Sequence, residues 1–211
     1  MDLSIRSATE ADCDMIADAI AQSSGGYAQL GWHEKRGDYP GLDLLQIGAR
    51  LYAMDKEPFT WRNCVVAQGE QPLGVMLAYA IDADYQSAEP DSLSQDGGKV
   101  KSKDKEENEG KSTDVYYPVK MEVANSWYIC GMTVFEPWRG RGIGSRLLEF
   151  AAQQARQKGY PQLSLIAFEQ NQGSVRLYLR NGFTVIQRRQ VVPHPMIDYQ
   201  GDVLLMTAPL S

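Results

Sequence analysis

The stretch MTVFEPWRGRGIGSRLL, residues 132–148, joins an apolar run to a helical pattern through three closely spaced glycines. Glycine loses more conformational freedom on folding than any other residue, so this clustering needs a structural reason. The first amides of a helix lack intrahelical partners and carry partial positive charge, and glycines let a ligand approach them closely. The loop is therefore predicted to bind an anion, most naturally a pyrophosphate, with Arg139 and Arg141 adding charge.

Two well-known phosphate loops fit this stretch poorly. A Walker loop ends in Gly-Lys-Ser/Thr, whereas here Gly144 is followed by Ser145 and Arg146. A dinucleotide fingerprint has the spacing GxGxxG after an early strand, whereas here the spacing is GxGxG and the strand comes late. From this loop alone, a plain glycine turn with surface arginines stays open.

The composition indicates a globular protein and argues against two kinds of partner, nucleic acids and membranes. The chain has 211 residues with 43% hydrophobic content, which is enough for a sizeable core. The formal charge of -6 argues against a nucleic-acid partner, because phosphates require a basic surface. The longest apolar run, residues 73–81, is far shorter than the ~20 residues of a spanning helix, so no membrane partner is expected.

Cysteines and the first residues bear on the compartment. The three cysteines are odd in number and widely spaced, which is untypical of a disulfide framework. The N-terminal residues show neither a basic nor an apolar signal region, so we expect a cytoplasmic protein. The two histidines lie far apart in sequence, so no metal site is predicted.

Periodicity predicts an alternating α/β chain in the order β-α-α-β-β-(insert)-β-α-β-α-β-β. The strands are predicted at 3–8, 59–68, 72–81, 126–135, 162–168, 183–192 and 202–210, and the helices at 10–23, 42–54, 145–159 and 171–182. A break is predicted at 23–27. The helix after the glycine loop has an apolar stripe formed by Ile143, Leu147, Leu148, Ala151 and Ala155.

Residues 85–114 differ in composition from the rest of the chain. Leu93 and Val100 are nearly the only sizeable aliphatic residues in this charged, polar and glycine-containing segment. Such a segment cannot bury enough apolar area to offset its ordering entropy. We expect a disordered, low-complexity insertion in a surface loop, either merely tolerated or regulatory.

Two motifs in the second half of the chain resemble the GNAT superfamily of acyl-CoA-dependent N-acetyltransferases. The first motif is the strand, proline and Arg-x-x-Gly-x-Gly pattern, matched by Val134, Pro137, Arg139, Gly142 and Gly144. The second is LSLIAFEQNQGSVRLYLRNGF, residues 163–183, with an asparagine loop and a helix that carries a tyrosine before Gly-Phe. The resemblance implies one GNAT domain over residues 1–211. Its fold would be α/β (α+β), with a mixed sheet of about seven strands, helices on both faces and a splayed strand pair that holds acyl-CoA.

The resemblance also implies a binding site for acetyl-CoA as cosubstrate. The backbone of the strand would bind the pantetheine arm, and the Met132 amide would hold the oxyanion. The asparagine would bind the CoA arm, although an asparagine before a helix is also an ordinary cap. The implied cofactor-binding residues are Met132, Thr133, Val134, Arg139, Gly140, Arg141, Gly142, Ile143, Gly144, Ser145, Asn171 and Tyr178.

Catalysis needs an acid for the leaving thiolate and a base for the attacking amine. Tyr178 matches the tyrosine acid of the family, with a packing aromatic as the alternative. Some relatives carry a glutamate on this strand a few residues before the oxyanion amide. Here that position is close to Tyr128, which is not a carboxylate. Glu122 is the nearest candidate base, Glu136 is a weaker one, and a water chain to solvent is an equal alternative.

The acceptor pocket is expected in the variable segments of the family. The candidate wall residues are Tyr27, Trp32, Trp127, Tyr128 and His194. Adjacent residues of a strand face opposite sides, so only one of Trp127 and Tyr128 can line the pocket.

The sequence thus predicts transfer of an acetyl group from acetyl-CoA to a primary amine of a small molecule or peptide by direct attack. The alternative is a non-catalytic acyl-CoA-binding or regulatory module of the same fold. A homodimer is left open as the assembly state.

Overall fold

The computed structural model describes residues 3–54, 56–85 and 114–210. The predicted insertion lies almost entirely outside these residues. The strands are β1 Ser4–Ser7, β2 Cys64–Gln68, β3 Pro72–Ile81, β4 Ser126–Val134, β5 Gln162–Phe168, β6 Thr184–Gln190 and β7 Asp202–Pro209. The helices are α1 Cys13–Ser23, α2 Tyr27–Glu34, α3 Leu44–Ala53, α4 Ile143–Gln157 and α5 Gln172–Arg180.

All seven strands belong to one sheet in the order β1-β2-β3-β4-β5-β7-β6. The pair β4 and β5 is parallel, and the other neighbouring pairs are antiparallel. A parallel neighbour requires a crossover, and α4 supplies it between β4 and β5. The predicted mixed sheet of about seven strands is confirmed.

Helices cover both faces of this sheet, as predicted. On one face the apolar stripe of α4 packs over β3, β4 and β5, and every residue predicted for that stripe is buried. On the other face α1 and α3 pack over β2, β3 and β4. No helix in the described part of the chain is both long enough and apolar enough to cross a membrane.

The sequence prediction missed the helix α2. A break was predicted at residues 23–27, and Gly25 and Gly26 do form a turn there with positive φ angles of 59° and 95°. The chain then re-enters a helix at Tyr27. A Cβ on Gly26 would lie 1.8 Å from the Met196 carbonyl oxygen. The turn is therefore set by the close approach of a distant segment, which local periodicity does not show.

Strand β4 changes its pairing half-way along its length. On the β3 side, Leu77 pairs with Gly131 and Ala78 with Ile129, so Cys130 is the extra residue of a β-bulge. On the β5 side, pairing covers only residues 127–129 with residues 163–165. Beyond Ile129 the two strands separate, and β5 continues its pairing with β7 alone. The predicted splayed pair is thus present, and the gap that it leaves is the entrance to the site.

Candidate active site

A large cavity opens where β4 and β5 separate. Its volume is about 1590 Å³, and its lining combines β4, the first turn of α4, α5, and the α1–α3 face of the sheet. Pockets for one small ligand usually enclose ~300–1,000 Å³. The cavity therefore has room for two reactants that meet at the splayed strands.

One end of the cavity is the N-terminus of α4. The first hydrogen bond of this helix runs from the Arg146 amide to the Gly142 carbonyl at 3.1 Å. The amides of Ile143, Gly144 and Ser145 are therefore without intrahelical partners. Gly142 has a φ of 81°, and a Cβ built on it would meet nothing within 4 Å. This open, left-handed turn exposes the positive end of the helix, as an anion site requires.

Arginines surround this helix end, although not all of those predicted. Arg139 lines the cavity, and its Nε donates to the Val134 carbonyl at 2.9 Å. Arg141 is missing from the lining residues, and its guanidinium stacks on the Trp138 ring at 4.9 Å. Its predicted contact with the cofactor stays a prediction. Arg176 and Arg180 of α5 line the cavity and were not predicted, although their spacing of four residues places both on one helix face.

Close packing between α4 and α5 brings the second predicted motif to the first. A Cβ on Gly144 would lie 2.8 Å from Leu177 Cδ2, so this glycine admits α5 at short range. The Asn181 side chain donates to Ser145 Oγ at 3.2 Å. These contacts hold Tyr178 of α5 over the cavity.

The Tyr178 hydroxyl is free to act on a ligand. Its side chain is 7% exposed and packs against Phe183 with a ring separation of 5.7 Å. Among the described residues its hydroxyl has no hydrogen-bond partner, although the residue lines the cavity. Burial raises the pKa of Tyr178 to about 12, so the phenol is protonated at neutral pH. A neutral hydroxyl can donate to a developing anion.

The open edge of β4 forms the floor between the two ends of the cavity. Residues 132–134 pair with β3 and have no β5 partner in the described chain. Thr133 Oγ1 donates to the Ala19 carbonyl at 2.5 Å and so ties β4 to α1. Met132 and Val134 pack toward α4. This edge faces the cavity, where an extended ligand could bind as an added strand, except at the Val134 carbonyl, which already accepts from Arg139 Nε.

Asn171 is the N-cap of α5. Its Oδ1 accepts a hydrogen bond from the Ser174 amide at 3.2 Å, which is the ordinary capping role. The residue also lines the cavity. Its contact with a CoA arm stays a prediction.

Glu122 precedes β4 and is one of the carboxylates on the acceptor side of the cavity. It is half-buried, lines the cavity and lies 3.5 Å from the Tyr79 hydroxyl. Burial, and then the Glu122 carboxylate, raise the pKa of Tyr85 to about 12. Burial also raises the pKa of Tyr128 well above its usual value, with Cys130 and Glu122 adding to the shift. Phenols therefore surround this carboxylate.

Glu136, the weaker candidate base, lies elsewhere. It is exposed in a single 3₁₀ turn after β4 and is not among the residues that line the cavity.

The structure brings together three of the five predicted acceptor residues. Tyr27, Trp32 and Tyr128 line the cavity. Trp127 and His194 are not among the residues that line the cavity, and their contact with an acceptor stays a prediction. Trp127 points to the opposite face, into the α4 core, because neighbouring strand residues alternate. His194 lies in the β6–β7 connection, where its Nδ1 accepts from the Met196 amide at 3.2 Å.

Sequence reasoning missed most of the aromatic lining. The chain contains eleven tyrosines, and eight of them line this one cavity. The five that were not predicted are Tyr52, Tyr79, Tyr85, Tyr116 and Tyr199. The high tyrosine content was visible in the sequence, but nothing in local spacing shows that residues from seven segments converge.

Cys130, the bulge residue, also lines the cavity. Burial raises the pKa of its thiol to about 12. A protonated thiol is a poor nucleophile, so this residue is unsuited to carry an acyl group in a covalent intermediate.

The family model for the Acetyltransferase (GNAT) family matches residues 29–183. This chain belongs to the GNAT acetyltransferase family. The matched region includes both motifs that lie against the cavity, the glycine loop and the helix α5. The chain is therefore an acetyltransferase of a family that uses acyl-CoA and acts on amines.

Solved structures share the fold of this GNAT acetyltransferase. A structure of an acetyltransferase matches with a TM-score of 0.60 at 19% identity, covering 99% of this chain and 100% of that chain. The N-acetyltransferase from Staphylococcus aureus Mu50 matches with a TM-score of 0.59 at 14% identity, covering 97% and 100%. The PaiA N-acetyltransferase from Thermoplasma acidophilum, solved in complex with coenzyme A, matches with a TM-score of 0.52 at 14% identity, covering 99% of each chain. No curated protein matches in sequence.

Proposed function

We propose that this GNAT acetyltransferase transfers an acetyl group from acetyl-CoA to a primary amine by direct attack. The observation that carries the proposal is the gap between β4 and β5. It has the open amides of α4 at one end and the unpaired Tyr178 hydroxyl above it. A diphosphate would bind at the open amides of α4, an extended arm would lie in the gap along β4, and a thioester would lie near the Tyr178 hydroxyl.

The donor half of the cavity suits the charge of CoA. The free amides of Ile143, Gly144 and Ser145 would bind the diphosphate, and the open edge of β4 would bind the pantetheine arm. Arg139, Arg176 and Arg180 supply positive charge around the same opening. Charge-assisted hydrogen bonds from arginine to phosphate are stronger than neutral ones.

The reaction requires one bond to form and one to break at the thioester carbon. The amine nitrogen attacks the carbonyl carbon, and the oxyanion is held by the Met132 amide. The C–S bond then breaks, and the thiolate accepts a proton from Tyr178 as it leaves. A free thiol, with a pKa of about 8.5, is a stronger acid than this phenol. The amine nitrogen gives up a second proton once the C–N bond has formed, and this proton, distinct from the ammonium proton lost before the attack, restores the Tyr178 phenol.

The attacking amine must first lose its ammonium proton. Glu122 is the proposed acceptor of that proton, either directly or through a water molecule beside Tyr79. A water chain to solvent is the alternative route. The three cysteines are all free, so we place the reaction in a reducing cytoplasm.

Calorimetric titration with CoA tests the donor site. We expect a Kd of roughly 1–100 μM and a Tm that rises with CoA concentration. The double variant Arg176→Gln/Arg180→Gln should weaken CoA binding about tenfold or more. The double variant Arg36→Gln/Arg50→Gln removes the same charge from exposed sites outside the cavity and should bind CoA normally. Absence of CoA binding at millimolar concentration would overturn the proposed donor.

A thiol-release assay with acetyl-CoA over a panel of primary amines tests turnover. Release of CoA that depends on the amine supports the transferase. Tight CoA binding without release for any amine would indicate the binding module instead.

A further inference from the structure

Glu122 differs from the other charged side chains on the acceptor side of the cavity. Glu122 is half-buried, whereas the other side chains are exposed at the rim of the cavity. These exposed residues are Glu34, Lys35, Lys56, Glu57 and Lys120. Within the described residues no ion pair joins Glu122 to a cation, and its polar contacts are with two phenols, the Tyr79 hydroxyl at 3.5 Å and the Tyr85 hydroxyl. A carboxylate withdrawn from water without a cation is costly. Buried Arg189 is close enough to lower the pKa of Tyr85, but it is not among the residues that line the cavity, so no cation of the described lining pairs with Glu122.

The walls around Glu122 are aromatic. Tyr79 packs edge-on against Tyr128 at 5.5 Å and against Phe59 at 6.2 Å. Phe59 is 51% exposed, which is unusual for so large an apolar side chain. Aromatic faces attract cations, and they also pack well against flat apolar groups.

A second aromatic wall stands across the same cavity. Phe168 stacks on Tyr199 at 4.4 Å and on Tyr27 at 6.0 Å. The Tyr27 side chain is 8% exposed, and its hydroxyl has no hydrogen-bond partner in the described chain. The two walls leave an aromatic slot with one carboxylate at its inner side.

From this arrangement we infer that the acceptor is a primary amine with an aromatic or comparably apolar body and no carboxylate beside the amine. Its ammonium pairs with Glu122 among the phenols, and its body lies between the aromatic walls. This inference rests on the proposed amine acetylation and names the class of amine.

The same charges explain which amines are disfavoured. An amino acid would bring its own carboxylate beside Glu122, and the described lining offers no interior cation to neutralise it. A polyamine would bring several ammonium groups to a slot with a single interior carboxylate. Both would lose hydration that the protein does not replace.

The first test measures binding without chemistry. Tyramine is titrated into the protein saturated with CoA, which cannot donate an acetyl group. Glu122→Gln should weaken tyramine binding about tenfold or more while CoA binding is unchanged, which also shows that the variant is folded. Glu70→Gln removes an exposed carboxylate from the β2–β3 turn and should bind tyramine like the parent. Equal tyramine affinity in the parent and in Glu122→Gln, or no tyramine binding to the parent at millimolar concentration, overturns the inference.

The second test compares matched acceptors in the thiol-release assay. The kcat/KM of tyramine and phenethylamine should exceed that of tyrosine and phenylalanine by about 100-fold. Comparable values for the amino acids, or a clear preference for spermidine, overturn the inference but leave amine acetylation standing. A different outcome is that amine binding depends on Glu122 but no acetyl group is transferred. It supports the acceptor site and contradicts the proposed function.

Discussion

Gly142 and Gly159 stand at opposite ends of α4 with nearly the same left-handed backbone, φ 81° and φ 82°. A Cβ on either would meet nothing within 4 Å. Alanine at either position therefore carries the same backbone strain and no steric clash within the protein. Only Gly142 lies on the cavity. Comparing the two glycines therefore separates the effect of backbone strain from the effect of blocking a ligand.

We expect Gly142→Ala and Gly159→Ala to lower the free energy of unfolding by similar amounts, about 1 kcal/mol each. Only Gly142→Ala should weaken CoA binding, by about tenfold, because its methyl group occupies the surface that the phosphates approach. Denaturant unfolding and calorimetry measure the two effects. Equal CoA affinities in the two variants would show that the loop is not the phosphate site.

Tyr178→Phe tests the proposed acid. The ring and its packing on Phe183 remain, so the variant removes a proton donor and little else. We expect kcat to fall by ~10²–10⁴-fold, with CoA affinity little changed, because one neutral hydrogen bond contributes only ~0.5–1.5 kcal/mol. If kcat stays within about threefold of the parent while chemistry limits the rate, Tyr178 is a structural residue.

Trp127 and Tyr128 are adjacent but face opposite sides of β4. Trp127→Phe should lower stability by about 1–3 kcal/mol through lost core packing and leave kcat/KM unchanged. Tyr128→Phe keeps the ring and should instead raise the KM for the amine acceptor. Unfolding curves and steady-state kinetics on both variants measure whether one loses stability and the other loses acceptor affinity. A changed acceptor KM in Trp127→Phe would contradict this prediction, because it would place the acceptor on the α4 side of the sheet.

Asp12 gives the fold a predictable sensitivity to acid. It accepts two hydrogen bonds from the Arg6 guanidinium, at 2.8 and 2.9 Å, and one from the Thr9 amide at 2.7 Å. The contact with Arg6 lowers the pKa of this carboxyl from 3.8 to about 2. Because the folded-state pKa is the lower one, the stabilisation is present at neutral pH. The stabilisation is lost as the pH falls from about 4 toward 2, where the folded-state carboxyl takes up its proton.

Asp12→Asn should therefore lower the free energy of unfolding at pH 7 by about 1–2 kcal/mol. The difference between parent and variant should shrink as the pH falls from about 4 to 2, because the parent carboxyl becomes neutral as well. Thermal unfolding across this pH range measures it. A difference that stays constant with pH would mean that charge is not the cause.

Much of the fold was predictable because its signals are local. The α4 stripe follows from helical spacing, and its start follows from glycines that only a left-handed turn explains. Strand β5 was predicted at its observed bounds, since a short run rich in apolar residues between the end of a helix at Gly159 and an asparagine loop is typical of a strand. The helix α2 was missed because Gly26 is required by the approach of Met196, a residue far along the chain.

The candidate site divides along the same line. The glycine loop was noticed from its own glycine spacing, whereas Asn171 and Tyr178 were named from the resemblance to the GNAT family. Arg176 and Arg180 carried a weak helical signal that pointed to a shared face but not to the cavity.

The resemblance to the GNAT family implied the mixed sheet, and the sequence by itself determined most of the order of strands and helices and the glycine turn before α4. Those features depend on residues within a few positions of one another, where backbone preference and periodicity act directly. Only the tertiary structure decided which side chains meet across the cavity. The bulge at Cys130 and the end of β4–β5 pairing at Ile129 set which residues face the gap. The surroundings of Glu122 come from strands and loops brought together by sheet register, and register is a property of the whole sheet rather than of any one segment.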